Sequence, residues 1–365
     1  SMKKLFLLLI LSFFSAQGFA AGCPDGSEPV KSVSADGTYF VYNCGNNSND
    51  DGAIKSTTDE QMGLIDELIK SEKITILAAS DVSQEYINNT KKWLGLAVST
   101  WFTKDTPASN YYYPIIVTLV NKSTNAAREL ETNLCEELKE NSYSSHLCGR
   151  YLVDYVSTSD ASISSNRMND GVHLMILGTG RRSSSDDLGD TMLHEAFHIY
   201  QISQIMTKDR DLAEKKKGRR SGDHNRDVPW WSEGTAVYMS YLLYDKQPGA
   251  RRNFLKAEMG CQIGFDCGSG AEKSIEKYFN LGVKLNNIDY GKDRMLAYRL
   301  GSWFVAYLIN DVGEEKIFEF YEDNDSLGFE DSFELHFGKP YRNYIDEFEV
   351  FIKQPIPVIM KILPS

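Results

Sequence analysis

The sequence predicts an α+β protein, with an N-terminal mixed sheet backed by helices and a helical second half. Three observations carry this. Between Thr58 and Leu177, helix-period segments alternate with short β-branched runs. Beyond that point the apolar pattern is helical and no further strand is predicted. The chain of 365 residues is also long enough to enclose a large core.

Lys3 and Lys4, the apolar run Leu5–Phe14 and the small residues Gly18 and Ala20 read as an export signal over residues 1–21. About ten apolar residues fall short of a bilayer span, and no later run reaches one. Ala20-Ala21-Gly22 before Cys23 also admits a lipid anchor, although Ala20 replaces the usual leucine and an odd cysteine would remain. Residues 22–52 read as a small hairpin, Val30–Val33 and Thr38–Tyr42, followed by the polar linker Gly45–Gly52.

Residues 53–206 carry the sheet. Helices are expected at Thr58–Lys70, Ser83–Phe102 and Thr124–Glu140. Strands are expected at Lys73–Ala79, Tyr113–Val120, Arg150–Val156 and Val172–Leu177. Residues 207–365 form the helical part: a segment opened by Pro229 and running to Tyr244, a long helix Asp289–Asn310, and shorter ones at Glu314–Tyr321 and Tyr341–Lys353.

Six cysteines in an exported chain imply disulfides, and spacing favours Cys23–Cys44, Cys135–Cys148 and Cys261–Cys267. The expected location is the periplasm or the exterior, with no membrane span in the mature chain. A net charge of −12 argues against a nucleic-acid partner. The basic run Lys208–Arg226 reads as a solvated loop; the alternative is a lid that attracts acidic substrate segments.

The chemistry is concentrated in Met192–Gln204, where His194, Glu195 and His198 form His-Glu-x-x-His. Residues four apart on a helix lie about 40° apart around the axis and about 6 Å along it, so both imidazoles reach one point. Glu195, roughly 100° from His194, can touch a water on a cation held there. In a chain this poor in histidine the pattern arises by chance about once in a hundred. Ser185 or Asp186 can cap the helix, and Leu188, Leu193, Ala196, Phe197, Tyr200 and Ile205 give it a buried stripe.

Catalytic zinc takes three protein ligands and keeps one open position. The remaining histidines are His146, His173, His224 and His336. The places three and six residues beyond His198 hold Gln201 and Gln204, which excludes the three-histidine metzincin pattern. Glu233, in Pro229-Trp230-Trp231-Ser232-Glu233-Gly234-Thr235-Ala236, is the better third ligand; as a bland alternative it is a capping or surface glutamate. Gly234 and Ala236 offer small surfaces for close helix approach.

These two motifs resemble the zinc signature of gluzincin metallopeptidases, over roughly Val172–Leu308. The resemblance implies a zincin-like fold with one Zn2+ in the cleft between the two lobes, held by His194, His198 and Glu233. It implies Glu195 as general base, a peptide or protein as substrate, and His173–Leu177 as the edge strand along which an extended peptide pairs. It also implies an oxyanion donor on a helix of the second lobe, Tyr298 first and His224 second. Val237 stands where thermolysin-like members keep an acid, and thirty-four residues separate His198 from Glu233. The Gly-x-Met-Glu-Asn signature of aminopeptidases is absent, which favours an endopeptidase. Two alternatives remain: a peptidase-fold binding or adhesion module with a non-catalytic zinc site, and zinc-dependent hydrolysis of a non-peptide amide such as one in cell-wall material.

Overall fold

The computed structural model describes residues 30–33, 40–43, 57–103, 106–149, 151–165, 167–219, 227–248, 250–251, 253–265, 267 and 273–364. The chain divides into two units, Ser1–Thr57 and Thr58–Ser365. In the first, β1 (Val30–Val33) pairs antiparallel with β2 (Phe40–Asn43), which is the expected hairpin. The export signal and the Cys23–Cys44 pair lie outside the described residues.

The second unit opens with α1 (Thr57–Lys70), β3 (Ile74–Ala78), α2 (Gln84–Trp101), β4 (Ile115–Val120) and α3 (Thr124–Glu140). It continues with β5 (Ala161–Ile163), the short α4 (Arg167–Asp170), β6 (His173–Gly178) and α5 (Gly189–Ser203). The four strands form one mixed sheet in the order β3-β4-β6-β5. β3, β4 and β6 run parallel, Ile74 opposite Ile115 and Ile115 opposite His173, while β5 is antiparallel to β6, Ile163 opposite Met175.

Every residue of β4 and β6 is buried, as strands covered on both faces require. Side-chain alternation then divides the core. Ile116, Val120, Leu174 and Ile176 pack under α3, against Ala127, Leu130, Leu134 and Leu138. Val117, Leu119, Met175 and Leu177 face the larger core with α2 and α5, against Trp93, Leu193, Phe197 and others. The sheet thus holds α5 on one face.

The helical half follows: α6 (Arg210–Lys216), α7 (Ser232–Asp245), α8 (Phe254–Gln262), α9 (Ser274–Leu281), α10 (Arg294–Val312), α11 (Glu315–Leu327), α12 (Phe329–Phe337), α13 (Tyr341–Phe351) and α14 (Ile356–Ile359). α7 packs against both α5 and α10. Its crossing with α10 is glycine on glycine: a Cβ added to Gly234 would lie 2.5 Å from the backbone carbon of Gly301. Trp231, fully buried among Phe304, Phe320, Tyr321, Phe333 and Phe337, anchors the start of α7.

Several expectations are corrected. Residues 151–156 form no strand: Leu152–Tyr155 is a 3-10 turn whose buried Leu152 packs beneath α3. The fourth strand is instead β5, in a serine-rich segment without strand patterning. β6 is consequently interior rather than an edge, because β5 covers its outer side. The described part of the basic run is no solvated loop. Asp209 caps α6 by accepting from Leu212 N–H, Lys216 bonds Asp325, and Lys217 is buried beside Glu214.

The Cys261–Cys267 disulfide is present. Cys135 and Cys148 are free thiols: Cys135 Sγ turns to the carbonyl oxygen of Cys148 at 3.6 Å, and burial pushes its thiol up to about 12. Among the described residues, no helix is long and apolar enough to cross a membrane.

Candidate metal centre

The site begins where β6 hands over to α5. Arg182 ties the two together, donating from Nε to Gly178 O and from Nη1 to Asp187 O and Thr191 Oγ1, while Nη2 reaches Ser159 O. This clasp replaces the cap expected from Ser185 or Asp186, since α5 starts at Gly189 with no side-chain cap bond. The fixed start sets the rotation of α5 and so the direction of its polar residues.

His194, His198 and Glu233 converge. His198 Nε2 lies 3.1 Å from His194 Nε2 and 2.9 Å from Glu233 Oε2, and His194 Nε2 lies 3.4 Å from the same oxygen. Tetrahedral ligands about 2.0–2.1 Å from zinc stand roughly 3.3 Å from one another. The three atoms are within a few tenths of an ångström of that spacing, close enough to hold a metal ion. Two partly exposed imidazoles and one buried carboxylate each offer a ligand atom there. The donor set therefore suits a metal.

The ring of His198 is oriented from behind. Its Nδ1 lies 2.8 Å from Gln201 Oε1, and Gln201 Nε2 donates to Ser232 O, Thr235 Oγ1 and Tyr321 Oη. Since Ser232 O can only accept, the amide orientation is determined, and Oε1 must accept from Nδ1–H. That tautomer leaves the His198 Nε2 lone pair for the cluster. Gln201, which in the sequence served only to exclude a metzincin, turns out to join α5, α7 and α11 behind the ligand.

Glu233, 5% exposed, is held from its other oxygen. Tyr290 Oη donates to Oε1 at 2.6 Å, and Arg219 Nη2 donates to Tyr290 Oη at 2.6 Å while lying 3.9 Å from Oε1. Burial alone would raise the Glu233 carboxyl, but His198 and His194 beside it hold it well below the usual carboxylate range. Tyr298, on α10, reaches the same group: its phenol has hydrogen-bond contact with Tyr290 and Glu233, and burial and the Glu233 charge keep it protonated. His224, the second expected donor, lies outside the described residues.

Glu195 is 6% exposed. Burial pushes its carboxyl up to about 7 against the pull of His194, with Glu233 adding to the rise and the Ile163 backbone N–H opposing it. That N–H is available because the N–H of the adjacent Ser164 bonds Leu174 O, and neighbouring residues of an antiparallel strand point their N–H groups to opposite sides, so Ile163 turns its own away from β6. The open edge of the sheet beside the centre is therefore β5. His173, expected on that edge, is buried, with Nε2 2.7 Å from Tyr111 O.

Sequence reasoning missed Tyr290, Arg219 and β5. Tyr290 fell inside the helix expected at Asp289–Asn310, but α10 begins only at Arg294 and leaves it in the preceding loop; Arg219 was grouped with the basic run. Only Gln201 carried a signal, as a polar residue on the buried face of an amphipathic helix. No protein-family model, curated protein or solved structure matches this chain.

Proposed function

We propose that this protein is an exported zinc-dependent peptidase of gluzincin type with a zincin-like fold, acting within chains rather than at a free amino terminus. The observation that carries the reading is the convergence of one atom each from His194, His198 and Glu233, with a buried carboxylate, Glu195, one residue along the same helix. A bound zinc ion would supply Lewis acidity and make a water acidic enough to lose its proton near neutral pH.

Glu195 takes that proton and delivers it to the departing amine, a role suited to a group whose affinity for protons lies near neutrality. Tyr298, protonated and beside Glu233, donates to the developing oxyanion. Tyr290 and Arg219 keep Glu233 oriented, and Gln201 does the same for His198. An extended peptide adds to the open edge of β5, whose outward groups stand beside Glu195.

The purified protein is expected to carry about one zinc per chain. Glu195→Gln should retain that zinc and lose roughly 10²–10⁴-fold in kcat on a peptide substrate. A variant that cuts as fast as the parent refutes the general-base assignment. Full zinc loading together with silence across a diverse peptide library would favour the binding-module alternative.

A further inference from the structure

A cavity of about 610 Å³ opens between β5 and α6 and adjoins the metal centre at both walls. On one wall Ile163 bonds Glu195 through its N–H, and on the other Arg219 Nη2 approaches Glu233 to 3.9 Å. The β5 side is lined with hydroxyls, from Ser162 to Ser165, while the α6 side carries Arg210, Lys217 and Arg219.

The charges are unevenly matched. Lys217, 8% exposed, places Nζ 2.8 Å from Glu214 Oε1, and Arg219 Nε lies 3.5 Å from the other oxygen of the same carboxylate. Glu214 is thus shared by Lys217 and Arg219, and Arg219 also faces Glu233 and donates to Tyr290. The second acid of the lining, Asp170, is on the far side with His146, at 3.4 Å, and Arg210 stands exposed at the rim. A cavity with three cations, two acids and a row of hydroxyls is better suited to an entering carboxylate than to an apolar or basic group.

We propose that this cavity is a substrate subsite for a carboxylate, read by Lys217 together with Arg219 and Arg210. The carboxylate is supplied by an aspartate or glutamate side chain or by the free carboxyl terminus of the substrate. The inference rests on the peptidase reading above and adds the substrate class to it. It also accounts for α6 lying in the chain between the two ligand helices: the insertion brings cations to the cleft.

The test uses the zinc-loaded full chain and matched peptide pairs differing only in Glu against Gln at each position around the cut bond. Each peptide is made with a free and an amidated C-terminus. One internal position is expected to favour Glu over Gln by at least about tenfold in kcat/KM, or the free terminus to exceed the amide by as much. Lys217→Gln should collapse that ratio. Arg210→Gln, an exposed change, should lower it and covers the case in which the buried variant fails to fold. Ratios within about twofold everywhere overturn the subsite and leave hydrolysis itself standing.

If no peptide is cut, the peptidase reading fails separately. The same pairs titrated into zinc-loaded Glu195→Gln then decide the subsite: about tenfold tighter binding of the acidic member supports it, and equal affinities refute it.

Discussion

Among the described residues, a histidine meets two other ionisable side chains in two places, at α5–α7 and at α11–α12. In the second, His336 places Nδ1 3.2 Å from Glu319 and Nε2 2.8 Å from Asp323, with Lys316 2.6 Å from Glu319. The carboxylates occupy opposite edges of one ring, so their oxygens diverge and no single point sees all three groups. In the first, each residue turns one atom to a common point. Exposure follows the same division: the Glu233 side chain is 7% exposed, that of Asp323 48%. Composition is similar in both; convergence and the burial of Glu233 separate a cluster that could hold a metal ion from an ion-pair bridge across two helices.

The comparison can be broken most sharply by metal content. His198→Ala is expected to reduce bound zinc from about one per chain to near none, whereas His336→Ala should leave it unchanged; elemental analysis of both variants checks this. Next comes the support behind the ligand. Gln201→Ala, which touches no metal, should weaken zinc affinity about 10–100-fold in a chelator competition, and an unchanged affinity would show that the His198 ring needs no partner at Nδ1.

A pH profile sharpens the contrast further. Burial pushes Glu195 up to about 7, and a dication nearby pulls it down, so the acid limb of kcat/KM should fall below pH 7. As pH falls through that point the base becomes protonated, and activity should drop by about tenfold per unit. In Glu195→Gln this limb should disappear from the residual rate. The smallest effect is expected at the surface bridge: His336→Gln should cost no more than about 1 kcal/mol in a denaturant titration, because its partners are half exposed.

How much of this was legible in the sequence can be argued residue by residue. His194, Glu195 and His198 are local: helix geometry alone carries them to one face. Glu233 was readable through its apolar, tryptophan-flanked setting, and Gly234 through its small size, although its partner Gly301 was not. The helices α1, α2 and α3 fall within a residue of their expected bounds because amphipathic spacing and turn residues mark them. β5 was invisible, because three residues in a serine-rich stretch become a strand only when β6 offers its free ladder. The residues 151–156 failed in the opposite sense, their β-branched pattern serving to pack under α3 instead.

The sequence by itself therefore determined what lies within one turn or one face: the paired imidazoles, the carboxylate beside them and the helical frame that displays them. Tertiary structure alone decided what comes from afar. It set which strand is the edge, which tyrosine holds Glu233, that Gln201 selects the His198 tautomer, and that a basic run becomes a cavity wall. The physical reason is range. Helical periodicity is a property of neighbouring residues, whereas a hydrogen bond between Tyr290 and Glu233 exists only once the packing of α7 against α5 and α10 has brought distant segments within reach.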